Sequence, residues 1–332
     1  MIGSTALTFS DLRKRLNPQG QLDTIMEVMA QSNPIMEDIP WMEGNLPTGN
    51  QTTVRTSYPH PELRRINAGV KPGKSTTKQI IDTCCLMEAR SEVDVKLVKL
   101  APDKQAFRMS EDKAYVQGFT DDLAKYMFYG DTDANPDQFN GLSIRYNTFK
   151  GDLGEEGYQV VNAGGKTANK QTSAYIVDWG EDAVVGIYPK GSKAGLDIQD
   201  LGEIDAIDAN GGKYRALATL FDWDAGLAVK NIRKVAAVRN IDCKAAAEDT
   251  TSDARKALAE RIVVAKNKII NPKRPILYVS PMAYTMLELH IADKNNVYVT
   301  QQQLMQGIPT LYVSGLIVKK NDALTETEPV IA

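Results

Sequence analysis

The chain has 332 residues, and its 42% hydrophobic and 24% charged composition is that of an ordinary folded protein, which excludes wholesale disorder and a collagen-like or coiled-coil rod. At roughly 100–200 residues per domain there is room for about two domains, or one elaborated domain. The 39 Lys plus Arg against 42 Asp plus Glu leave a net charge of -3, whereas a dedicated nucleic-acid binder carries a basic excess to displace phosphate counterions.

No run of about 18 apolar residues occurs, and residues 1–16 lack the unbroken apolar block of a secretory signal, so a chain that is neither exported nor membrane-spanning is expected. Cys84, Cys85 and Cys243 are an odd count, and the adjacent pair is too close in sequence for an unstrained mutual disulfide; reduced thiols are expected. His60 and His290 have no neighbouring ligands or carboxylates that would build a zinc site or activate a nucleophile, and both read as structural.

Residues 1–50 read as an arm with two short helices. Ser10 can cap residues 11–16, and Leu22, Ile25, Met26 and Met29 recur at helical spacing before Asn33-Pro34 stops the pattern. From 45 to 78 the texture turns to Gly, Pro, Thr and basic residues. Arg55, Arg64, Arg65, Lys71, Lys74 and Lys78 face only Glu62, a local charge of +5. Three readings fit: a solvated face, a nucleic-acid contact, or an arm across a neighbouring subunit. Tyr58 is the only aromatic available for base stacking, which disfavours the second, while the prolines favour the third.

Residues 79–100 suit a strand leading into a helix or turn, and the alternation around Val93, Val95 and Leu97 fits a strand or a short helix equally. Residues 110–129 form the clearest helix, roughly 30 Å long. Glu111 and Asp112 open it, Val116, Phe119, Leu123 and Met127 form one stripe, and Gly130 is expected to close it in the left-handed conformation. Residues 174–179 and 183–188 read as strands separated by a Gly-Glu-Asp turn, and residues 214–223 as another strand. The 25 residues between Tyr188 and Tyr214 include Asp197, Asp200 and Glu203 and show little periodicity, as an extended loop would. In the last third, Ser252 can cap a helix carrying Leu258, Ile262, Ala265 and Ile269. A strand over 276–279, a helix opened by Ser280-Pro281 and a strand over 313–318 follow.

Catalytic constellations are weak. Residues 186–193 have the spacing of a phosphate loop, but the order is Gly191-Ser192-Lys193 instead of Gly-Lys-Ser, and Pro189 removes an amide donor. Asp131, Asp133 and Asn135 imitate the start of a calcium loop, yet Pro136 replaces the turn glycine and Leu142 the bidentate glutamate. Asp205 and Asp208 are paired carboxylates in a Gly- and Asn-rich stretch without the burial that acid/base work needs. No catalytic, cofactor-binding or metal-ligating residue is therefore assigned. Trp41, Trp179 and Trp223 read as core or interface anchors.

Residues 33–45 (NPIMEDIPWMEGN), 64–70 (RRINAGV), 129–131 (YGD), 139–146 (FNGLSIRY), 188–196 (YPKGSKAGL), Gly226-Leu227 and 240–242 (NID) stand in an order that resembles the major capsid proteins of tailed phages, particularly a short-tailed subgroup. The resemblance spans most of residues 25–320. It implies the α+β capsid fold of the Hong Kong ninety-seven type, with an amino-terminal arm, an extended loop, a spine helix and an α/β axial domain. On that fold, residues 1–50 are the arm, 51–149 peripheral elements with the spine helix at 110–129, 150–249 a strand-rich region with the extended loop, and 250–332 the axial-type region. Residues 45–78 and 188–214 both qualify as the extended loop, and strand signals on both flanks favour the second.

The function so implied is self-assembly into pentamers and hexamers that close an icosahedral shell around double-stranded DNA, in a virion assembled in the host cytoplasm. Portal, scaffolding and cement proteins are the further partners it suggests, with only weak non-specific contact to DNA and none to membrane. Some family members crosslink Lys to Asn with the help of a Glu; no motif here identifies such a triple, and a non-covalent shell is expected. Trp41, Arg55, Arg64, Arg65, Lys71 and Lys74 on one side, and Asp197, Asp200 and Glu203 on the other, are the candidate interface residues. An encapsulin-like compartment shell and a small-molecule enzyme with an anion site at 186–193 are the alternatives.

Overall fold

The computed structural model describes residues 7–15, 31–208, 211–243, 253–291, 299–303 and 309–331. The predicted helix over residues 21–31 and the Ser252 cap lie outside the described residues, apart from Gln31. The chain forms two compact units, each assembled from three separate stretches: Met1–Gln31, Cys85–Leu123 and Lys193–Ala225 in the first, and Ser32–Cys84, Ala124–Ser192 and Gly226–Ala332 in the second. The four consecutive segments expected from the sequence do not coincide with these units, because β3 (Thr76–Asp94), α4 (Lys104–Tyr129) and β8 (Lys213–Val229) each run from one into the other.

In the first unit, α1 (Phe9–Lys14), α3 (Val95–Leu100) and the start of α4 close a small core of Leu12, Val93, Leu97, Val98, Ala101 and Phe107. Residues 76–94 are one 19-residue strand, and the ambiguity at residue 95 resolves as helix because the Asp94 carboxylate accepts from the Lys96 N–H at 2.7 Å. The long helix starts six residues before the predicted one. The Asp103 carboxylate takes the amides of Gln105 and Ala106 at 3.0 Å each, whereas Ser110 lies inside the helix and donates to the Phe107 carbonyl. Tyr115 stacks on Phe221 of β8 with centroids 5.1 Å apart.

Gly118, in the middle of α4, has nothing within 4 Å of where a Cβ would stand. Gly118→Ala is therefore expected to raise the stability of the unassembled subunit by about 1 kcal/mol, since a helix-interior glycine costs that much in chain entropy. A rise in urea midpoint with unchanged slope is the measurement; a fall would mean the position is crowded. At the other end Gly130 does not adopt the expected left-handed conformation. Glycine is needed there because a Cβ would collide with the Phe139 carbonyl oxygen.

The second unit holds a seven-stranded sheet in the order β11 (Val299–Gln303), β12 (Pro309–Val313), β13 (Leu316–Lys320), β10 (Pro275–Val279), β5 (Gln171–Asp178), β9 (Val235–Asp242) and β4 (Val160–Asn162). Every residue of β5 is buried, and its two faces differ. Ala174 and Ile176 join Leu277 and Val279 under α6 (Asp253–Lys268) and α7 (Pro281–Ile291), while Tyr175 and Tyr278 meet Phe128 on the opposite face. The two strands expected on either side of the Gly-Glu-Asp turn do not pair as a hairpin ladder. β5 bonds to β9 and β10, and β6 (Val184–Tyr188) bonds to β1 (Trp41–Glu43) and to the end of β8. α2 (Ile35–Asp38), β2 (Gly49–Ser57) and α5 (Leu142–Arg145) complete this unit, and β7 (Asp197–Ile207) belongs to the first. Among the described residues no helix is long and apolar enough to cross a membrane.

Candidate assembly surfaces

Both extended-loop candidates are antiparallel hairpins. In the second unit β2 pairs with residues 76–83 of β3, from Gly49 opposite Thr83 to Arg55 opposite Thr77. The Thr-rich alternation suits a pleated ribbon, and Pro59, Pro61 and Pro72 stop it by removing amide donors. Beyond the last pairs, held by Thr56, Ser57 and Thr76 hydroxyls 2.7–2.8 Å apart, residues 58–74 are exposed throughout. Leu63 is 105% and Ile66 94% exposed. Around them Arg64 donates to the Ala68 carbonyl at 2.7 Å, Arg55 lies over the Tyr58 ring, and Arg65, Lys71 and Lys74 face solvent.

In the first unit, the 25-residue connection read as irregular contains β7, an 11-residue strand paired along its length with β8. Its hidden regularity has a physical cause: residues 198–201 are exposed in succession on both faces, and a bulge between Asp200 and Gly202 shifts the period. The acids expected to face another subunit are largely engaged here. Asp200 is bonded by Arg108 at 3.1 and 3.2 Å and by the Gly202 N–H, which hold its carboxyl below the usual range. Glu203 pairs with Arg215 at 2.8 Å, and Asp197 accepts from the Gln199 side chain at 3.0 Å. The same Arg215 guanidinium also serves Asp205, at 3.7 Å.

Trp41 is half-buried in β1, opposite Gly186, where any larger residue would meet its ring. It is thus at least partly an internal anchor of the second unit. The amides of the phosphate-loop mimic are already spent: Gly191 donates to Glu43 at 2.8 Å, Lys190 to the Leu46 carbonyl at 3.2 Å and Ser192 to the Pro189 carbonyl at 3.1 Å. A phosphate there would face a carboxylate instead of free donors. In the calcium-loop mimic, Asp131 turns its carboxylate onto the Asp133 and Ala134 amides of its own loop.

Sequence reasoning missed the buried ion pairs of the second unit. Asp82, 1% exposed, meets Arg145 at 2.7 Å, and Arg145 also donates to the Asn140 and Leu227 carbonyls. Asp38 gathers Lys319 at 2.7 Å and the Tyr278 hydroxyl at 2.7 Å. Glu328 accepts from Tyr129 and Ser173 hydroxyls at 2.5 Å each and lies 3.4 Å from Arg239. Partners 60 to 280 positions apart leave no local signal, although Asp38 and Arg145 fall within the stretches that carried the family resemblance. Burial raises the Cys85 thiol to about 11 and the Cys243 thiol to about 12, and none of the three cysteines forms a disulfide.

Comparison with known proteins accounts for this architecture. The family model for major capsid protein GP7 matches residues 17–332. A chain in the near-atomic structure of bacteriophage epsilon15 is 26% identical, with a TM-score of 0.77, over 100% of this chain and 99% of that one. The bacteriophage JBD30 capsid has the same fold at 11% identity and a TM-score of 0.50, covering 91% of this chain and 95% of that one. No curated protein sequence matches significantly. The chain belongs to the major capsid protein GP7 family, and it is a tailed-phage capsid subunit of the Hong Kong ninety-seven type.

Proposed function

We propose that the shell is icosahedral, built from pentamers and hexamers of this chain around packaged double-stranded DNA, and that the β2–β3 hairpin is the extended loop each subunit lays on a neighbour. The observation that carries this reading is the hairpin tip, where Leu63 and Ile66 stand free among cations. Burying an aliphatic side chain of that size is worth about 1.5–3 kcal/mol, so a tip that stayed in water would forgo it twice. Heterologous contacts of this kind close into rings when the subunit rotation permits. The β7–β8 hairpin suits the role less, because Arg108 and the stacked Tyr115–Phe221 pair tie it to α4. On this reading α4 is the spine helix and the seven-stranded sheet the axial core.

Portal, scaffolding and cement proteins complete the assembly, which takes place in the host cytoplasm, and a chain of charge -3 touches DNA only weakly. Charge reversal of Arg64 and Arg65 together tests the arm. Shell yield in electron micrographs is expected to fall on the order of tenfold, the effect of about 1.4 kcal/mol per contact, with the circular dichroism of the subunit unchanged. Normal yield would remove the tip from the interface.

A further inference from the structure

Among the strands that end a sheet with an open edge, β2 and β7 are opposite in charge. Among the described residues β2 pairs with β3 and is bridged on its other side only at Gly49, by Leu46, and β7 pairs only with β8. An unpaired strand edge is a row of backbone donors and acceptors ready for another strand.

In β2, the Gln51 N–H and carbonyl are met by the Asn45 side chain at 2.7 and 2.8 Å, so Asn45 imitates a neighbouring strand and closes the edge at that point. This also fixes the direction of the rest: in an antiparallel ladder alternate residues turn outward, which makes Thr53 and Arg55 the next residues whose backbone groups face away from β3. Just beyond β7 the Asp208 N–H bonds to the Gly212 carbonyl at 2.8 Å. The same alternation then turns Glu203, Asp205 and Ile207 outward.

The charges match. Residues 45–78 carry six basic side chains against one acidic, whereas residues 197–224 carry seven acidic against two basic, so the stretches hold +5 and -5. Arg55 has the Tyr58 ring beneath it and, among the described residues, no carboxylate within ion-pair distance. Asp205 shares its guanidinium with Glu203 and remains 58% exposed. Exposed apolar residues accompany both edges, Tyr58 on the first and Ile207, 66% exposed, on the second.

We infer that the outer edge of β2 in one copy adds, antiparallel, to the outer edge of β7 in a second copy, with Arg55 opposite Asp205 and Thr53 opposite Ile207. This rests on the shell reading and gives its subunit contact a register. Main-chain bonds supply the attachment, the Arg–Asp pair supplies the register, and the Asn45 clamp sets where the added strand must end.

Shells of the unmodified protein are the starting material; if the chain forms no particles, it is the shell reading that fails. Amide hydrogen exchange compares shells with dissociated subunits. Peptides containing Thr53–Arg55 and Glu203–Ile207 are both expected to slow at least about tenfold on assembly, as amides entering a ladder do. Co-assembled Arg55→Cys and Asp205→Cys chains are expected to give disulfide-linked dimers that neither variant gives alone. Shells in which either peptide exchanges as fast as in free subunits overturn the pairing, and so do shells of normal shape without the mixed dimer. If the cysteine variants do not assemble, the exchange result on the unmodified protein decides.

Discussion

Arg145→Met is expected to destabilise the unassembled subunit by roughly 3–5 kcal/mol, the cost of leaving a buried carboxylate without its counter-charge. Asp82 is 1% exposed and one of its oxygens has no hydrogen-bond partner, so Arg145 at 2.7 Å is what makes its burial tolerable. The substitution also strips donors from the Asn140 and Leu227 carbonyls. Methionine retains the apolar stem, which separates the charge effect from a packing loss. The effect should localise: Asp82 lies on β3 opposite Asn50 of β2, at the root of the hairpin. Equilibrium urea unfolding measures the loss, and Asp82→Asn combined with Arg145→Met should recover a large part of it. A loss below about 1 kcal/mol would mean that water reaches Asp82.

Glu328→Ala should cost a similar amount, about 3–5 kcal/mol, for a related reason. Glu328 and Arg239 have side chains only 4% exposed, and removal of the carboxylate leaves the guanidinium buried with neutral partners: the Tyr175 hydroxyl at 2.6 Å and Ser143. It also deprives the Tyr129 and Ser173 hydroxyls of their acceptor. Burial and the neighbouring Glu328 charge push the Tyr129 phenol far above its ordinary value, so its proton stays in place as the donor to that carboxylate. The two backbone bonds between Glu328 and Gln171 survive the substitution, but the side-chain anchors to Tyr129, Ser173 and Arg239 do not, so the carboxy-terminal segment should be held more loosely beside β5. Limited proteolysis near residue 328, faster in the variant than in the parent, checks this. Unchanged cleavage and an unchanged unfolding midpoint would show that the segment is held elsewhere.

The contrast between these buried pairs and the charged hairpins explains why the family was legible in the sequence and the interface less so. Composition, helix stripes and cap residues are local, and local signals located the end of α4, and α6, α7, β5 and β10, to within a few residues. Even there, the start of α4 was read at residue 110 because Glu111 and Asp112 mimic a first turn, although the real cap is Asp103. β7 was read as loop because residues 198–201 are exposed on both faces and the bulge between Asp200 and Gly202 shifts the period, which removes the apolar alternation that marks a strand. Asp200 and Glu203 were expected at a subunit contact, and their partners within the unit, Arg108 and Arg215, lie 92 and 12 positions away, where no local spacing announces them.

The sequence by itself determined that this chain folds, that its charge suits a protein assembly better than a nucleic-acid reader, and, through collinear short stretches, which family it belongs to. Those properties depend on composition and on residues near one another along the chain. Tertiary structure alone decided which strands share a sheet, which charges are buried as pairs, and which strand edges remain open. Hydrogen bonds and ion pairs form between groups that the fold brings within a few ångströms, and their spacing along the chain carries no trace of that approach.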